Sequence, residues 1–282
     1  MSQKTVAAIH DISCLGRCSL TVALPILSAA GINTGVLPTA VLSTHTGGFT
    51  GYTYRDLTED IQPISQHWQS LGLQFDALYS GFLGSFEQID LVADLFAAFK
   101  TPQNLIMVDP VMADEGKIYS IYSPQMAAGM AKLCAKADIV VPNITEACFI
   151  LNKEYKEGPY TPQYIQELLY GLAELGPKQV VLTGVWFTPE QLGAASYDKE
   201  TGRIEYAYAP KIEGYFHGTG DVFGSALLAG LLNGRTLPQA TQIAVDYTQL
   251  CIVLTVEEKS ERRYGVCFEK ALPSLMEKLD LL

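Results

Sequence analysis

The sequence predicts an α/β fold, a three-layer α/β/α sandwich around a mostly parallel central sheet with a small antiparallel addition. Three observations carry that expectation. Short β-rich runs alternate with helical stretches up to Thr183, the rhythm of parallel strands joined by crossover helices. Several of these runs are apolar throughout, as strands covered on both faces must be. After Thr183 the pattern changes to "LGAASYDKETGRIEYAYAP", two strand-like runs joined by a polar turn from Asp198 to Gly202.

In chain order, strands are expected at Thr5 to Ile9, Gly35 to Leu42, Ala77 to Ser80, Leu105 to Asp109, Ile139 to Pro142 and Gln179 to Thr183. Helices are expected at Leu20 to Ala30, closed by Gly31, and then at Phe86 to Phe99, Pro124 to Leu133 and Pro162 to Leu175. Three more follow the antiparallel segment, near Asp221 to Leu232, Pro238 to Thr255 and Glu269 to Leu281. No internal repeat, low-complexity stretch or interdomain linker interrupts them, so residues 1–282 read as one domain.

Composition narrows the function classes. The chain is 48% hydrophobic and 17% charged, ordinary for a globular enzyme with a sizeable core. Its net charge is −11 and its longest basic cluster is Arg262-Arg263, which argues against nucleic acid and acidic membrane surfaces as partners. The opening "MSQKTVAAIHDIS" has too short an apolar segment for a signal peptide, and no stretch approaches a membrane span. A soluble, cytoplasmic protein is expected. The six cysteines show no two-residue gap of the kind that zinc ribbons use, so neither a metal nor a disulfide framework is expected. Cys14 and Cys18 with His10 could be read as ligands, but they sit in a glycine-containing loop entering an apolar helix.

In open parallel sheets ligands bind beyond the carboxyl ends of the strands. The expected strand ends carry His10-Asp11, the segment Ser43 to Gly48, Ser80-Gly81-Phe82, Asp109-Pro110, Asn143 to Glu146 and Thr183-Gly184. One polar ending is commonplace, because Asp and Ser cap helices and glycines turn chains. Six such endings raise a site above that background.

The segment "YFHGTGDVFGSALLAG" places two glycines and Asp221 ahead of an apolar run. A glycine turn at a helix start frees backbone N–H groups for an anion and adds the positive end of the helix dipole. Asp109 in "VDPVMADEGK", Glu146 in "PNITEA" and Asp221 are the acids that magnesium-assisted phosphoryl transfer would need, two near the ion and one as base. Each also has a structural reading: Asp109 as the cap of a turn before Pro110, Glu146 in a capping box with Asn143, Asp221 as a first-turn helix charge. No Walker sequence is present.

Together "STHTGG", "DPVMADEGK", "VPNITEA" and "GTGD" resemble the ribokinase superfamily, and within it the pyridoxal and pyridoxamine kinases, over nearly the whole chain. GTGD alone marks only the superfamily; the His-Thr-Gly segment adds the narrower likeness. The resemblance implies ATP-dependent phosphorylation of the 5′-hydroxymethyl group of B6 vitamers in salvage to pyridoxal 5′-phosphate. Asp221 would be the general base, and Gly218, Thr219 and Gly220 the anion hole. By the same resemblance Asp109, Asp114 and Glu146 lie around magnesium and the phosphates, with Asp109 and Glu146 as the metal residues. Tyr119, Thr183 and Gly184 lie near the nucleotide phosphates, and Asp11, Thr46, Gly47 and Phe82 near the vitamer. ATP, Mg2+, a requirement for K+ and a homodimer belong to the same expectation.

Three positions depart from that family's pattern. Phe82 stands where relatives often place tyrosine, which keeps apolar contact and loses a hydroxyl. Ala113 replaces a usual glycine, so that the turn either needs no positive φ there or accepts strain. Asp11 stands where many such kinases carry serine, which bears on vitamer preference. His217 precedes the anion hole with no role beyond a phosphate contact. Competing readings are a hydroxymethylpyrimidine kinase of the same fold, and a non-catalytic vitamer-binding protein. A dinucleotide-dependent oxidoreductase is disfavoured because "GTGDVFG" fails the G-x-G-x-x-G spacing and lies late in the chain.

Overall fold

The computed structural model describes residues 3–119, 121–122 and 125–282. In chain order the elements are β1 (Thr5–Ser13), α1 (Leu20–Ala29), β2 (Asn33–Leu42), β3 (Tyr54–Asp56), α2 (Thr58–Ser70), β4 (Ala77–Ser80), α3 (Phe86–Phe99), β5 (Leu105–Val108), β6 (Ala113–Asp114) and β7 (Lys117–Ile118). They continue as α4 (Met126–Cys134), β8 (Ile139–Val140), α5 (Ile144–Ile150), α6 (Pro162–Glu174), β9 (Gln179–Val185), β10 (Gln191–Asp198), β11 (Arg203–Pro210), α7 (Thr219–Leu232), α8 (Leu237–Glu257) and α9 (Leu272–Lys278).

Nine strands form one sheet in the order β11-β10-β9-β8-β5-β4-β1-β2-β3, and β6 and β7 form a separate hairpin. The middle of the sheet, from β2 through β1, β4, β5 and β8 to β9, is parallel. β3 at one edge and β10 and β11 at the other are antiparallel. Alternation along the strands sends side chains into two cores. Ile9, Leu78, Val108 and Leu182 pack under α2 to α6, whereas Val6, Tyr79, Met107 and Val181 pack under α1, α7, α8 and α9. Two helical layers on a doubly covered sheet are the expected architecture.

Several boundaries differ from the sequence reading for physical reasons. β1 does not stop at Ile9 but runs to Ser13, with a register shift between His10 and Ile12, so His10 and Asp11 lie inside a strand. Helix α2 was not foreseen: Pro63 interrupts "TEDIQPISQHWQS" and its polar residues outnumber the apolar stripe of Ile61, Ile64 and Trp68 at i, i+3 and i+7 that packs on the core. Helix α5 has seven residues, too few to show a period. The expected helix start at Pro124 lies outside the described residues, and α4 begins at Met126. α7 starts two residues before Asp221, and the last helix splits into a 3-10 turn at Glu269–Ala271 followed by α9.

Candidate active site

The chain passes from β1 to β2 on one side and then returns across β1, from β3 to β4, on the other, so the order of winding reverses at β1. Such a switch point makes a crevice at the strand ends. A cavity of about 640 Å³ occupies it, and all fourteen residues singled out from the sequence line its wall. They come from β1, β9, the loops that follow β2, β4 and β5, the β6–β7 hairpin and its end, and the starts of α5 and α7, so only the fold brings them together.

The start of α7 forms the floor. Gly218 is its N-cap at φ 76°, and no side chain caps the helix. A methyl group there would run into the Arg17 carbonyl, so conformation and space both demand glycine. The first intrahelical bond runs from the Val222 N–H to the Gly218 carbonyl at 3.1 Å, which leaves the amides of Thr219, Gly220 and Asp221 to find partners elsewhere. The space beside Gly220 is open. An anion can approach this turn on the backbone itself.

Asp221 is the third residue of α7 and half-buried. Burial pushes its pKa up to about 7, against the Ser19 backbone N–H and with the help of the Asp11 charge. A carboxylate poised there can accept a proton near neutral pH. Ser19, held at φ 54° at the entrance to α1, is a contributor the sequence reading missed; only its place after a glycine-containing loop hinted at it.

Across the cavity Asp109 and Glu146 are 6% and 4% exposed. The capping box is real: Asn143 Oδ1 accepts from the Glu146 N–H at 2.9 Å, and Glu146 Oε2 accepts from the Asn143 N–H at 2.9 Å. Glu146 Oε1 also accepts from the Met112 N–H at 3.1 Å. Structural and site readings of Glu146 therefore coexist. Burial raises Asp109 well above the usual carboxylate range, with the charges of Glu146 and Asp221 adding. Burial also raises Glu146, against its backbone donors. Lys211 is the only lysine or arginine on the cavity wall among the described residues.

Two buried, mutually repelling carboxylates without a basic neighbour fit a magnesium ion, which takes one or two carboxylates and completes its shell with water and phosphate oxygens. Among the described residues no group of three His, Cys, Asp or Glu side chains could hold a metal alone. Such an ion would depend on a bound nucleotide for its other ligands.

The β6–β7 hairpin overhangs this acidic end. Ala113 lies in extended β6, and the positive φ values fall at Glu115 and Gly116, at 48° and 76°. The alanine thus occupies a position that needs no glycine. Asn143 Nδ2 donates to the Ala113 carbonyl at 2.8 Å and the Gly116 N–H to Thr145 Oγ1 at 3.0 Å, tying the hairpin to α5. The Tyr119 N–H donates to the Met112 carbonyl at 3.0 Å, and the Thr183 N–H to the Pro142 carbonyl at 2.9 Å, next to Gly184 in β9. Tyr215, unforeseen from sequence, donates its hydroxyl to Asp114 Oδ2 at 3.1 Å.

At the other end Asp11 is 4% exposed. Its Oδ2 accepts from Ser13 Oγ at 3.2 Å, whereas Oδ1 has no partner. Burial raises its pKa, opposed by serine hydroxyls. Phe82 lies beside Tyr122 at 5.6 Å between ring centroids, but the Tyr122 hydroxyl donates to the Leu83 carbonyl at 2.6 Å and does not replace the one Phe82 lacks. His217 packs on Gly47, where a methyl would stand 2.7 Å from Nδ1, and lies 5.1 Å from His45. Thr46 lines the wall between them. His45 was missed as a site residue, although it sits inside "STHTGG".

The described residues include no helix long and apolar enough to cross a membrane, and all six cysteines are free. The sequence pattern of the phosphomethylpyrimidine kinase family matches residues 28–263. A provisionally assigned phosphomethylpyrimidine kinase from Bacteroides thetaiotaomicron, crystallised with pyridoxal, is 37% identical and superposes with a TM-score of 0.93 over 97% of this chain and 96% of that one. The pyridoxal kinase of Lactobacillus plantarum is 28% identical, with a TM-score of 0.89 over 98% of both chains. A pyridoxal kinase of Haemophilus influenzae is 29% identical over 73% of each chain. One relative, from Schizosaccharomyces pombe, is spanned over only 58% of its length.

Proposed function

The chain belongs to the phosphomethylpyrimidine kinase family, within the ribokinase superfamily, and from that membership we propose that it is an ATP-dependent pyridoxal kinase. It transfers the γ-phosphoryl group to the 5′-hydroxymethyl group of B6 vitamers. The observation that carries this reading is the single cavity in which a carboxylate of pKa about 7 stands on an uncapped glycine turn, facing a buried acidic pair. Asp221 accepts the proton of the vitamer hydroxyl as its oxygen bonds to the γ-phosphorus. The bond from that phosphorus to the β–γ bridging oxygen breaks, and ADP leaves.

Amides of Thr219 and Gly220, donated from a helix start, meet the charge on the transferring phosphoryl oxygens. Asp109 and Glu146, with Asp114, hold the nucleotide end. A magnesium ion bound there would neutralise phosphate charge. Asp11 lines the cavity and keeps one buried carboxylate oxygen without a protein partner, which a cationic aminomethyl group bound beside it would satisfy better than a neutral aldehyde. Pyridoxamine is accordingly the preferred vitamer.

The family description favours one second reading, a hydroxymethylpyrimidine kinase, which would use the same base and nucleotide site with a different ring. The deciding experiment measures ATP consumption with pyridoxal, pyridoxamine, pyridoxine and hydroxymethylpyrimidine, with and without magnesium. Turnover confined to the pyrimidine would move the assignment to the second reading. ATP consumption with none of them would leave a vitamer-binding protein.

A further inference from the structure

Beneath the site lies a set of buried polar groups that the proposed chemistry does not use. Tyr79 in β4 and His10 in β1 are 0% exposed; neither imidazole nitrogen has a hydrogen-bond partner, and the tyrosine hydroxyl has only Ser225 beside it, outside good hydrogen-bond geometry. The rings meet edge to face with centroids 4.5 Å apart. Burial drives the His10 pKa down to about 3, so the imidazole is neutral. Leaving such groups unpaired costs stability, and a native fold that keeps them calls for a reason other than packing.

The Tyr79 hydroxyl points at the first turns of α7. Gly224 leaves a notch for it: a methyl at that position would stand 2.5 Å from the hydroxyl oxygen and 3.7 Å from Asp109 Oδ2. The hydroxyl lies beside Ser225 and feels the charges of Asp109 and Asp221. Ser225 Oγ donates to the Asp221 carbonyl at 2.6 Å. One phenol oxygen thus sits where the helix carrying Asp221 and the anion hole meets the strand end carrying Asp109.

We propose that Tyr79 is a positioning residue, its hydroxyl keyed into the Gly224 notch so that the first turns of α7 are held at a fixed offset from Asp109. His10, wedged against the ring, keeps the phenol from rotating away. This inference rests on the kinase reading above, because it assigns the offset a role in phosphoryl transfer. A shift of about 1 Å between base and acceptor can cost two orders of magnitude in rate without touching ground-state binding.

The test is Tyr79→Phe, measured for kcat, for KM of pyridoxal and ATP, and for Tm. Packing alone predicts that removing a buried hydroxyl whose one polar neighbour, Ser225, stands outside good hydrogen-bond geometry changes stability little and leaves turnover unchanged. Positioning predicts that kcat per folded enzyme falls about tenfold or more, with both KM values within about twofold and no loss in Tm. Wild-type kcat retained in a folded Tyr79→Phe protein overturns the inference, as does a loss expressed only in KM. Gly224→Ala supplies a second arm, because its methyl displaces the hydroxyl. Its kinetic cost should shrink when Tyr79 is already phenylalanine, and multiplicative costs in the double variant would also overturn the inference. Absence of wild-type turnover on any B6 vitamer fails the kinase reading itself, a different result from normal turnover in the variants.

Discussion

Two helices begin at the same cavity and end their backbones in opposite ways. At α5, Asn143 and Glu146 satisfy each other's N–H groups in a reciprocal box, and Glu146 takes a further amide from Met112. At α7, Gly218 supplies no side chain, and the first-turn residues Thr219, Gly220 and Asp221 line the cavity with no side-chain cap. The closed end fixes a carboxylate; the open end leaves its first-turn amides without a side-chain cap. The difference teaches that an uncapped helix start keeps its amides for an anion, whereas a capped one offers only the side chains that close it.

The sharpest way to break this comparison is to disable the acid at the open end. Asp221→Asn keeps size and hydrogen bonding but cannot accept a proton, and kcat should fall by about 10²-fold or more with vitamer binding retained. Steady-state kinetics with saturating ATP and pyridoxal, beside equilibrium binding of the vitamer, measures both. Near-normal turnover in this variant would remove Asp221 from the role of base.

The next effect concerns Asp11, the carboxylate with an unpaired oxygen. If that oxygen reads an ammonium, Asp11→Ser should lower kcat/KM for pyridoxamine relative to pyridoxal by about ten- to a hundredfold. An unchanged ratio would reduce Asp11 to a partner of Ser13.

A smaller effect follows from ionisation at the open end. Asp221 must be deprotonated to act, and its pKa is raised to about 7, so kcat/KM should fall about tenfold per pH unit below that value. The same group has a stability signature of opposite sense. A carboxylate whose folded pKa exceeds its unfolded one destabilises the fold above the folded value, and the penalty fades as pH drops from about 7 toward the unfolded range. Comparing wild type with Asp221→Asn across that window isolates its share, since Asp109 and Glu146 titrate in the same direction. An acid limb that persists unchanged in the residual activity of the variant would assign the limb to another group.

The two helix starts also mark what sequence could carry. The parallel core was legible because β4, β5 and β9 are short apolar runs between helical stretches, and GTGD announced the open turn. Glu146 could be seen both as cap and as site because "PNITEA" encodes the box locally. Asp11 was visible as a residue but not as a buried one, because the continuation of β1 through a register shift depends on β2 beside it. The Tyr215–Asp114 bond joins positions 101 residues apart, and the Tyr79 notch needs Gly224 from a helix on the far side of the chain. No local pattern reports such pairings.

The smallest effect tests the closed end directly. Removing the cap with Asn143→Ala strips the acceptor from the Glu146 N–H and the donor from the Ala113 carbonyl, and cap loss costs about 1 kcal/mol. For a domain of this size that lowers Tm by roughly 2 to 4 °C, readable by calorimetry. Asn143→Asp separates the two bonds: it keeps the oxygen that caps α5 but cannot donate to Ala113, so the helix stays closed while the hairpin loses one tether. The Asp variant should therefore recover most of the stability, yet keep a raised KM for ATP, because the β6–β7 hairpin overhangs the end of the cavity proposed for the nucleotide. If Asn143→Ala left both Tm and the KM for ATP unchanged, the box would be ornamental, and the contrast between a helix start closed by its own side chains and one left open would lose its energetic basis.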